Sequence, residues 1–119
     1  MIKLKSVYSQ RINGDGKRIL IDLFWPEGLK THEAHIDQWL QKLGPSYDLQ
    51  RFEFRPESWE SYKSMYKKEL LASTEKKILI EDLVQQAKSG VITFLYGNKD
   101  SAHNNASVVK ELLESDFLN

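Results

Sequence analysis

The sequence predicts one α/β domain, built on a small sheet that is at least partly parallel and flanked by helices. Two runs of β-forming residues lie near the N-terminus, and residues 56–90 repeat apolar side chains at helical spacing. The uncharged segment VITFLY then lies between two helical patterns, which is typical of a central strand covered on both faces. A chain of 119 residues is long enough for a single core, so we assign residues 1–119 to one domain.

The first two strands are predicted in the segments IKLKSVY and RILIDLFW. The link between them, residues 9–17, is shorter than the dozen or so residues that a helical crossover needs. It is therefore either a hairpin or a long loop between strands that are not neighbours, and their relative direction stays open. The second strand is expected to end in the segment WPEG, because Pro26 cannot donate to a ladder and Gly28 permits a turn.

The middle of the chain gives weaker patterns. Thr31 is expected to be the N-cap of a short turn, and Ser46 the cap of a short helix that extends to Phe52. The segment HIDQWLQKLGPS fits either a helix face or a short strand, and we interpret it as strand or irregular structure. Large aromatic residues are predicted to lie in the core rather than to stack on bases, namely Trp39, Trp59, Tyr62 and Tyr66.

The C-terminal half alternates helix, strand and helix. Pro56 is expected to open a long amphipathic helix. A second helix follows the polar break at Ser73 and Thr74 and ends at Gly90. The central strand VITFLY comes next, and the apolar spacing in SVVKELL predicts a closing helix.

Composition disfavours several classes of function. The 17 basic residues equal the 17 acidic residues in number, so nucleic-acid binding would need a local basic patch and is the least favoured role. The chain has no cysteine, which excludes disulfides, thiolate metal sites and cysteine nucleophiles. The N-terminal segment lacks the apolar core of a secretory signal, and no apolar run approaches the roughly 20 residues of a membrane span. We expect a cytoplasmic protein without membrane contact.

Polar residues cluster in the segment LYGNKDSAHNNA, which follows the predicted central strand. In open α/β sheets, ligands bind beyond the carboxyl ends of the strands. Lys99 supplies a cation, His103 a proton-transfer group near neutral pH, and the next helix free N–H groups, which together suit a small carboxylate or phosphate. We predict that Asp22, Lys99 and His103 converge on one concave surface. The candidate ligand-binding residues are Asp22, Tyr96, Lys99, Asp100, His103 and Asn104.

A purely structural role for the same segment is about as well supported. Asp100 or Ser101 can close a turn, an asparagine at position 104 or 105 can cap the helix, and Lys99 and His103 can be solvated. The segment also has no Gly-rich phosphate loop, because YGNKD holds one glycine and no Lys-Ser or Lys-Thr follows it.

Two histidines and two carboxylates lie close together near the end of the first third of the chain. Their spacing differs from the H-E-x-x-H pattern of zinc helices, and neither a short helix nor a strand requires them to converge. We predict no metal and no cofactor. The residues are His32, Glu33, His35 and Asp37.

Three blocks of the sequence resemble the YeaO-like proteins, a family of small α/β domains of unknown function. LIDLFWPEGL is similar to the family pattern V-D-R-L-W-P-R-G, and WLQKLGPS with ESWESYKSMYKKEL matches a second block. FLYGNKDSAHNNASVV is close to L-L-Y-A-A-K-D-x-x-H-N-x-A-x-V and is the most specific of the three. Order and spacing agree over nearly the whole chain.

The resemblance also implies that several charged residues of the family pattern are replaced. Leu23 and Glu27 stand where the first loop usually has arginines, and Met65 stands where another arginine is usual. The H-D-P segment reads Phe54-Arg55-Pro56. If the family's polar residues form one anion pocket, this chain keeps the edge made by Lys99, Asp100 and His103, and Arg51 or Arg55 would have to compensate.

Two roles are therefore weighed almost equally, and the reaction class and the oligomeric state stay open. One role is a small-molecule enzyme or binder acting on an anion, with a slight preference for binding without catalysis, because lost charges weaken transition-state stabilisation. The other is a non-catalytic interaction or scaffold domain, in which the tail LESDFLN or an edge strand meets a protein partner.

Overall fold

The computed structural model of the protein describes residues 1–51 and 56–118. Within these residues the chain forms four β-strands and five α-helices, so the predicted α/β class is confirmed. The strands are β1 (Ile2–Ser6), β2 (Lys17–Leu20), β3 (Gln38–Trp39) and β4 (Ile92–Tyr96). The helices are α1 (Thr31–Ala34), α2 (Tyr47–Gln50), α3 (Trp59–Ala72), α4 (Thr74–Ser89) and α5 (Asn105–Asp116).

The strands form one sheet in the order β1-β4-β2-β3, and each neighbouring pair is parallel. Since β4 inserts between β1 and β2, the segment joining these two strands is the long loop between non-neighbours. This loop ends at Gly16, whose φ is 62° and where a Cβ would lie 2.0 Å from the carbonyl oxygen of Val91. Glycine is therefore required at this position.

The two faces of the sheet are covered differently. On one face, alternate residues of β4, Ile92 and Phe94, join the main core formed with α3, α4 and α5. On the other face, Leu95 packs with Leu20 and Val7 beneath apolar side chains of the connection between β2 and β3. The predicted central strand with two covered faces is confirmed.

A buried ion cluster holds the first loop against the sheet. Arg18 is 1% exposed, and its guanidinium donates to Asp15 Oδ2 at 2.9 Å and to the carbonyl oxygen of His35 at 2.9 Å. Burial opposes ionisation of Asp15, but hydrogen bonds from Lys5 and Arg18 outweigh it and lower the pKa of Asp15 to about 2. Asp37 accepts from the backbone N–H of Arg18 at 2.8 Å. The charged side chains of this cluster therefore stabilise the fold.

Several predicted helix boundaries are confirmed. Ser46 Oγ accepts from the N–H of Leu49 at 3.1 Å, Ser73 caps α4, and Gly90 follows the last residue of α4. The predicted extension of the short helix to Phe52 lies outside the described residues. No helix in the described part of the chain is long and apolar enough to cross a bilayer.

The prediction that Trp39 is buried is wrong, because its side chain lies on a two-residue edge strand and is 36% exposed. Its indole N–H donates to the carbonyl oxygen of Asp22 at 2.8 Å. The second strand also ends earlier than predicted, at Leu20, and the carbonyl oxygens of Asp22 and Leu23 beyond it accept from the side chains of Trp39 and Gln41 instead of from a neighbouring strand. Thr31 is not an N-cap, since it is already the first residue of α1 and its predecessor makes no side-chain cap.

Candidate binding site

A cleft of about 240 Å³ opens at the carboxyl edge of the sheet. The ends of β2 and β4 lie side by side there, because the two strands are parallel neighbours. Residues after β2, residues after β4, the last residue of α2 and the first residue of α5 contribute to its wall. The lining residues are Asp22, Leu23, Phe24, Pro26, Gln50, Gly97, Asn98 and Asn105.

The carboxylate of Asp22 is held by two neutral donors. Its Oδ2 accepts from the N–H of Gly97 at 3.1 Å, and its Oδ1 accepts from Asn105 Nδ2 at 3.0 Å. Burial disfavours the charged form and raises the pKa of Asp22 to about 6, although both hydrogen bonds act in the opposite direction. No cation among the described residues pairs with this carboxylate, so its charge above pH 6 is stabilised by hydrogen bonds alone.

Asn105 is oriented from behind by a buried tyrosine. The hydroxyl of Tyr62 donates to Asn105 Oδ1 at 2.6 Å, which directs the Asn105 amide N–H towards Asp22. Burial and the nearby carboxylates of Asp22 and Glu69 raise the pKa of Tyr62 well above its usual value, so the phenol keeps its proton. The donor facing Asp22 is therefore fixed by the fold.

The backbone beside Asp22 is also fixed by side chains. Trp39 Nε1 donates to the carbonyl oxygen of Asp22, and Gln41 Nε2 donates to that of Leu23, each at 2.8 Å. The two loops lie close together at Gly97, where a Cβ would be at an ordinary contact distance of 3.4 Å from both Asp22 Oδ2 and the ring of Pro26. The cleft is thus a preorganised feature of the fold.

Two amide oxygens of lining residues lack a hydrogen-bond donor among the described residues. Gln50 Oε1 and Asn98 Oδ1 are both buried and unpaired. Asn98 Nδ2 donates to the carbonyl oxygen of His103 at 2.8 Å, which fixes the side of the amide that carries the oxygen. Buried acceptors of this kind are costly unless something donates to them.

The structure places the predicted site residues in three settings. Asp22 lines the cleft, whereas the other five are not among its lining residues. Tyr96 is half-buried at the end of β4 and packs against the main core. Lys99 is exposed and makes no hydrogen bond or ion pair within the described residues.

The remaining three predicted residues bond to one another and to their own loop. Asp100 Oδ2 lies 2.8 Å from His103 Nδ1, and this hydrogen bond lowers the pKa of Asp100. The ring of His103 packs edge-on against Trp59, with centroids 4.9 Å apart. Asn104 caps α5, because its Oδ1 accepts from the N–H of Ser107 at 2.8 Å. The structural alternative weighed for this segment accounts for these bonds.

Sequence reasoning missed most of the cleft. Asn98 lies in the segment that was singled out, and Asn105 was considered as a helix cap only, a task that Asn104 performs. Gln50 comes from a four-residue helix remote in sequence from both strands, and no pattern pointed to it.

Comparison with known proteins assigns the family. Residues 1–119 match a family described as the inactive DUF488-N3 subclade. The chain belongs to this DUF488 family. The uncharacterised protein YeaO of Escherichia coli K12 is 30% identical over 96% of the chain and 97% of its own length. The uncharacterised protein Rv3073c of Mycobacterium tuberculosis H37Rv is 26% identical over 94% and 92%, respectively. No solved structure matches.

The YeaO-like resemblance is therefore confirmed, and the replaced charges of the DUF488 pattern can be located. Leu23 lines the cleft, while Glu27 is exposed in the loop after β2. Met65 packs against the main core. Arg51 is exposed and pairs with Asp48 at 3.3 Å, whereas Arg55 lies outside the described residues. No Arg, Lys or His is among the lining residues in the described part of the chain.

Proposed function

We propose that this protein binds a small polar molecule in the cleft around Asp22 and does not transform it. The observation that carries the proposal is the oriented chain from Tyr62 through Asn105 to Asp22, which holds a carboxylate at the wall of an open cleft. Preorganised polar groups in a concave, partly apolar site are what small-molecule binding requires.

The absence of catalysis is supported by the contents of the cleft. Asp22 is the one titratable side chain among the described lining residues, so the cleft offers no second acid, base or nucleophile to work with it. His103 and Asp100 lie further along the loop after β4, are not among the lining residues, and are bonded to each other. The family description, an inactive subclade, agrees with this proposal.

An anionic ligand, which the sequence predicts, stays a prediction. The charge of Asp22 opposes an anion inside the cleft above pH 6, so an anion would depend on Lys99 in the loop outside it. Titration with cationic and anionic compounds distinguishes binding inside the cleft from binding at Lys99.

The experiment is a ¹H–¹⁵N correlation spectrum of the labelled protein, recorded against small polar molecules of positive, negative and zero charge. Binding in the cleft is expected to shift the amides of Phe24, Gly97, Asn98 and Asn105. The bound compound is then recovered and its molecular mass is measured by mass spectrometry. We expect the mass of the compound that was added. Shifts that avoid the cleft for every compound, or a recovered product of different mass, would contradict the proposal.

A protein-interaction role is the second candidate, and one observation favours it. Phe24 and Tyr47 are 54% and 66% exposed, and their rings pack edge-on with centroids 6.2 Å apart. Adjacent exposed aromatic rings are enriched at protein interfaces. If this pair binds a second copy of the chain, sedimentation should show a dimer at high concentration that the double replacement by serine abolishes. A monomer at every concentration excludes self-association.

A further inference from the structure

We propose that the cleft selects a small organic cation, specifically a primary alkylammonium or guanidinium group. This inference rests on the proposed function and names its class of ligand. It follows from the acceptor atoms of the cleft, from its aromatic wall and from its size.

The first support is the imbalance between acceptors and donors. The Asp22 carboxylate has donors from Gly97 and Asn105 but no cationic partner among the described residues. An ionised carboxylate removed from water is stabilised most by an opposite charge that also donates hydrogen bonds. An ammonium group supplies one charge and three donors, and has no acceptor of its own.

The second support is the pair of unpaired amide oxygens in the same cleft. Gln50 Oε1 belongs to the last residue of α2, and Asn98 Oδ1 to the loop after β4. Together with the carboxylate of Asp22, the cleft residues hold two amide oxygens and one anion that have no cationic donor among the described residues. An ionised carboxylate or phosphate ligand has no donor for these oxygens, whereas an ammonium group has three. The two amide oxygens are closed to solvent, so they reach the ammonium group when their amide groups turn towards the cleft.

The third support is the aromatic and apolar wall. Phe24 lines the cleft, and Pro26 and Leu23 add apolar surface next to it. The face of an aromatic ring attracts a cation, and apolar side chains suit the carbon chain that carries it.

The size of the cleft restricts the ligand further. Its volume of about 240 Å³ is below the roughly 300–1,000 Å³ of pockets that hold drug-sized molecules. An alkylamine or a small guanidino compound is of the right size, and a nucleotide is too large.

Ligand affinity should then depend on pH in a defined direction. Burial raises the pKa of Asp22 to about 6, and the titratable groups behind it are the phenols of Tyr62 and Tyr66 and the carboxyl of Glu69. Alkylammonium ions stay charged well above this range. Cation affinity should therefore be about tenfold lower near pH 5 than near pH 8, since about one Asp22 in ten is ionised at pH 5.

The test uses three probes with the same carbon chain, namely n-butylammonium, butyrate and n-butanol, with sodium chloride matching the ionic strength. In ¹H–¹⁵N spectra at pH 8, we expect n-butylammonium to shift the Gly97, Asn98 and Asn105 amides saturably, and the other two probes to leave them in place. At pH 5 the same shifts should need about ten times more amine.

Matched variants locate the binding. Gln50→Met should weaken n-butylammonium binding severalfold, whereas Gln38→Met should not, because Gln38 Oε1 is also buried and unpaired but lies outside the cleft. Asp22→Asn should abolish the saturable shifts. If Asp22→Asn does not fold, two comparisons still test the proposal. They are Gln50→Met against Gln38→Met, and n-butylammonium against butyrate and n-butanol.

The outcomes separate this inference from the proposed function. If butyrate or n-butanol shifts the cleft amides as strongly as n-butylammonium does, the proposed selectivity for cations is wrong. The proposed binding of a small polar molecule in the cleft would still stand. Equal affinity in the Gln50→Met and Gln38→Met proteins would also overturn the selectivity for cations. No shift in the cleft with any compound of any charge would overturn both.

Discussion

At the scale of single residues, Asp22 couples the fold to pH. Its pKa of about 6 in the folded protein exceeds the ordinary value of 3.8, mainly because of burial. The folded state therefore binds more protons than the unfolded state between these values, so the contribution of Asp22 to stability falls as pH rises from about 4 to about 7. At about 1.4 kcal/mol per unit, the whole pKa difference corresponds to about 3 kcal/mol, of which about 2 kcal/mol is lost between pH 4 and pH 7.

This sign gives a first prediction. The wild-type protein should lose about 2 kcal/mol more of its unfolding free energy between pH 4 and pH 7 than the Asp22→Asn variant, whose amide does not titrate. Urea titrations at both pH values measure the difference, and all other titrating groups cancel in the comparison. A constant difference between the two proteins would mean that the Asp22 pKa is not raised.

A second prediction compares an exposed basic side chain with a buried one. Lys99 is exposed and has no partner among the described residues, so Lys99→Met should change stability by less than about 0.5 kcal/mol. Arg18 is buried on Asp15, and Arg18→Met should cost about 3 to 5 kcal/mol, because it removes one of the two cations on that buried carboxylate and the donor to the carbonyl oxygen of His35. Chemical denaturation measures both. A large loss in Lys99→Met would mean that Lys99 is held by the fold and is not available to a ligand.

At the scale of elements, helical periodicity was the reliable signal. The spacing of Trp59, Tyr62 and Tyr66 placed α3 correctly, because three and four residues bring side chains onto one face of a helix. A two-residue strand such as β3 has no period to detect, and Trp39 was therefore assigned to the core although its strand lies at the sheet edge. Its indole N–H serves the backbone of Asp22, a task that no spacing reveals.

Two of the three tryptophans supply the third prediction. Trp59 is 9% exposed and stacks on Tyr62 with centroids 5.7 Å apart, so Trp59→Ala should cost about 3 to 5 kcal/mol. Trp39→Ala should cost clearly less, since a third of that residue already contacts water. Urea midpoints of the two variants measure the order, and a Trp59→Ala midpoint equal to that of the wild type would show that this ring does not stabilise the core.

At the scale of the whole molecule, the site depends on contacts between distant parts of the chain. The sequence located strand ends, which is why Asp22 was a candidate, because ligands bind beyond the carboxyl ends of parallel strands. It did not reveal that β4 inserts between β1 and β2, nor that α5 brings Asn105 against Asp22 from 83 positions away. Pairings at such separations leave no local pattern, so the polar loop around Lys99 was favoured over the cleft beside it.

The last prediction concerns the chain of hydrogen bonds that joins α3, α5 and the loop after β2. Tyr62→Phe removes the donor to Asn105 Oδ1, which should cost about 1 to 3 kcal/mol because a buried acceptor is left unpaired. The Asn105 amide then loses its orientation towards Asp22, so the effects of Tyr62→Phe and Asp22→Asn should be non-additive by at least about 0.5 kcal/mol.

Tyr66→Phe is the matched control, because the Tyr66 hydroxyl is equally buried but donates to the carbonyl oxygen of Leu43. Its own loss of stability should add to that of Asp22→Asn within about 0.5 kcal/mol. Double-mutant cycles in urea at neutral pH, where Asp22 is ionised, measure both couplings. If Tyr62 and Tyr66 couple to Asp22 equally, the amide of Asn105 does not transmit the interaction, and the preorganised cleft loses its physical basis.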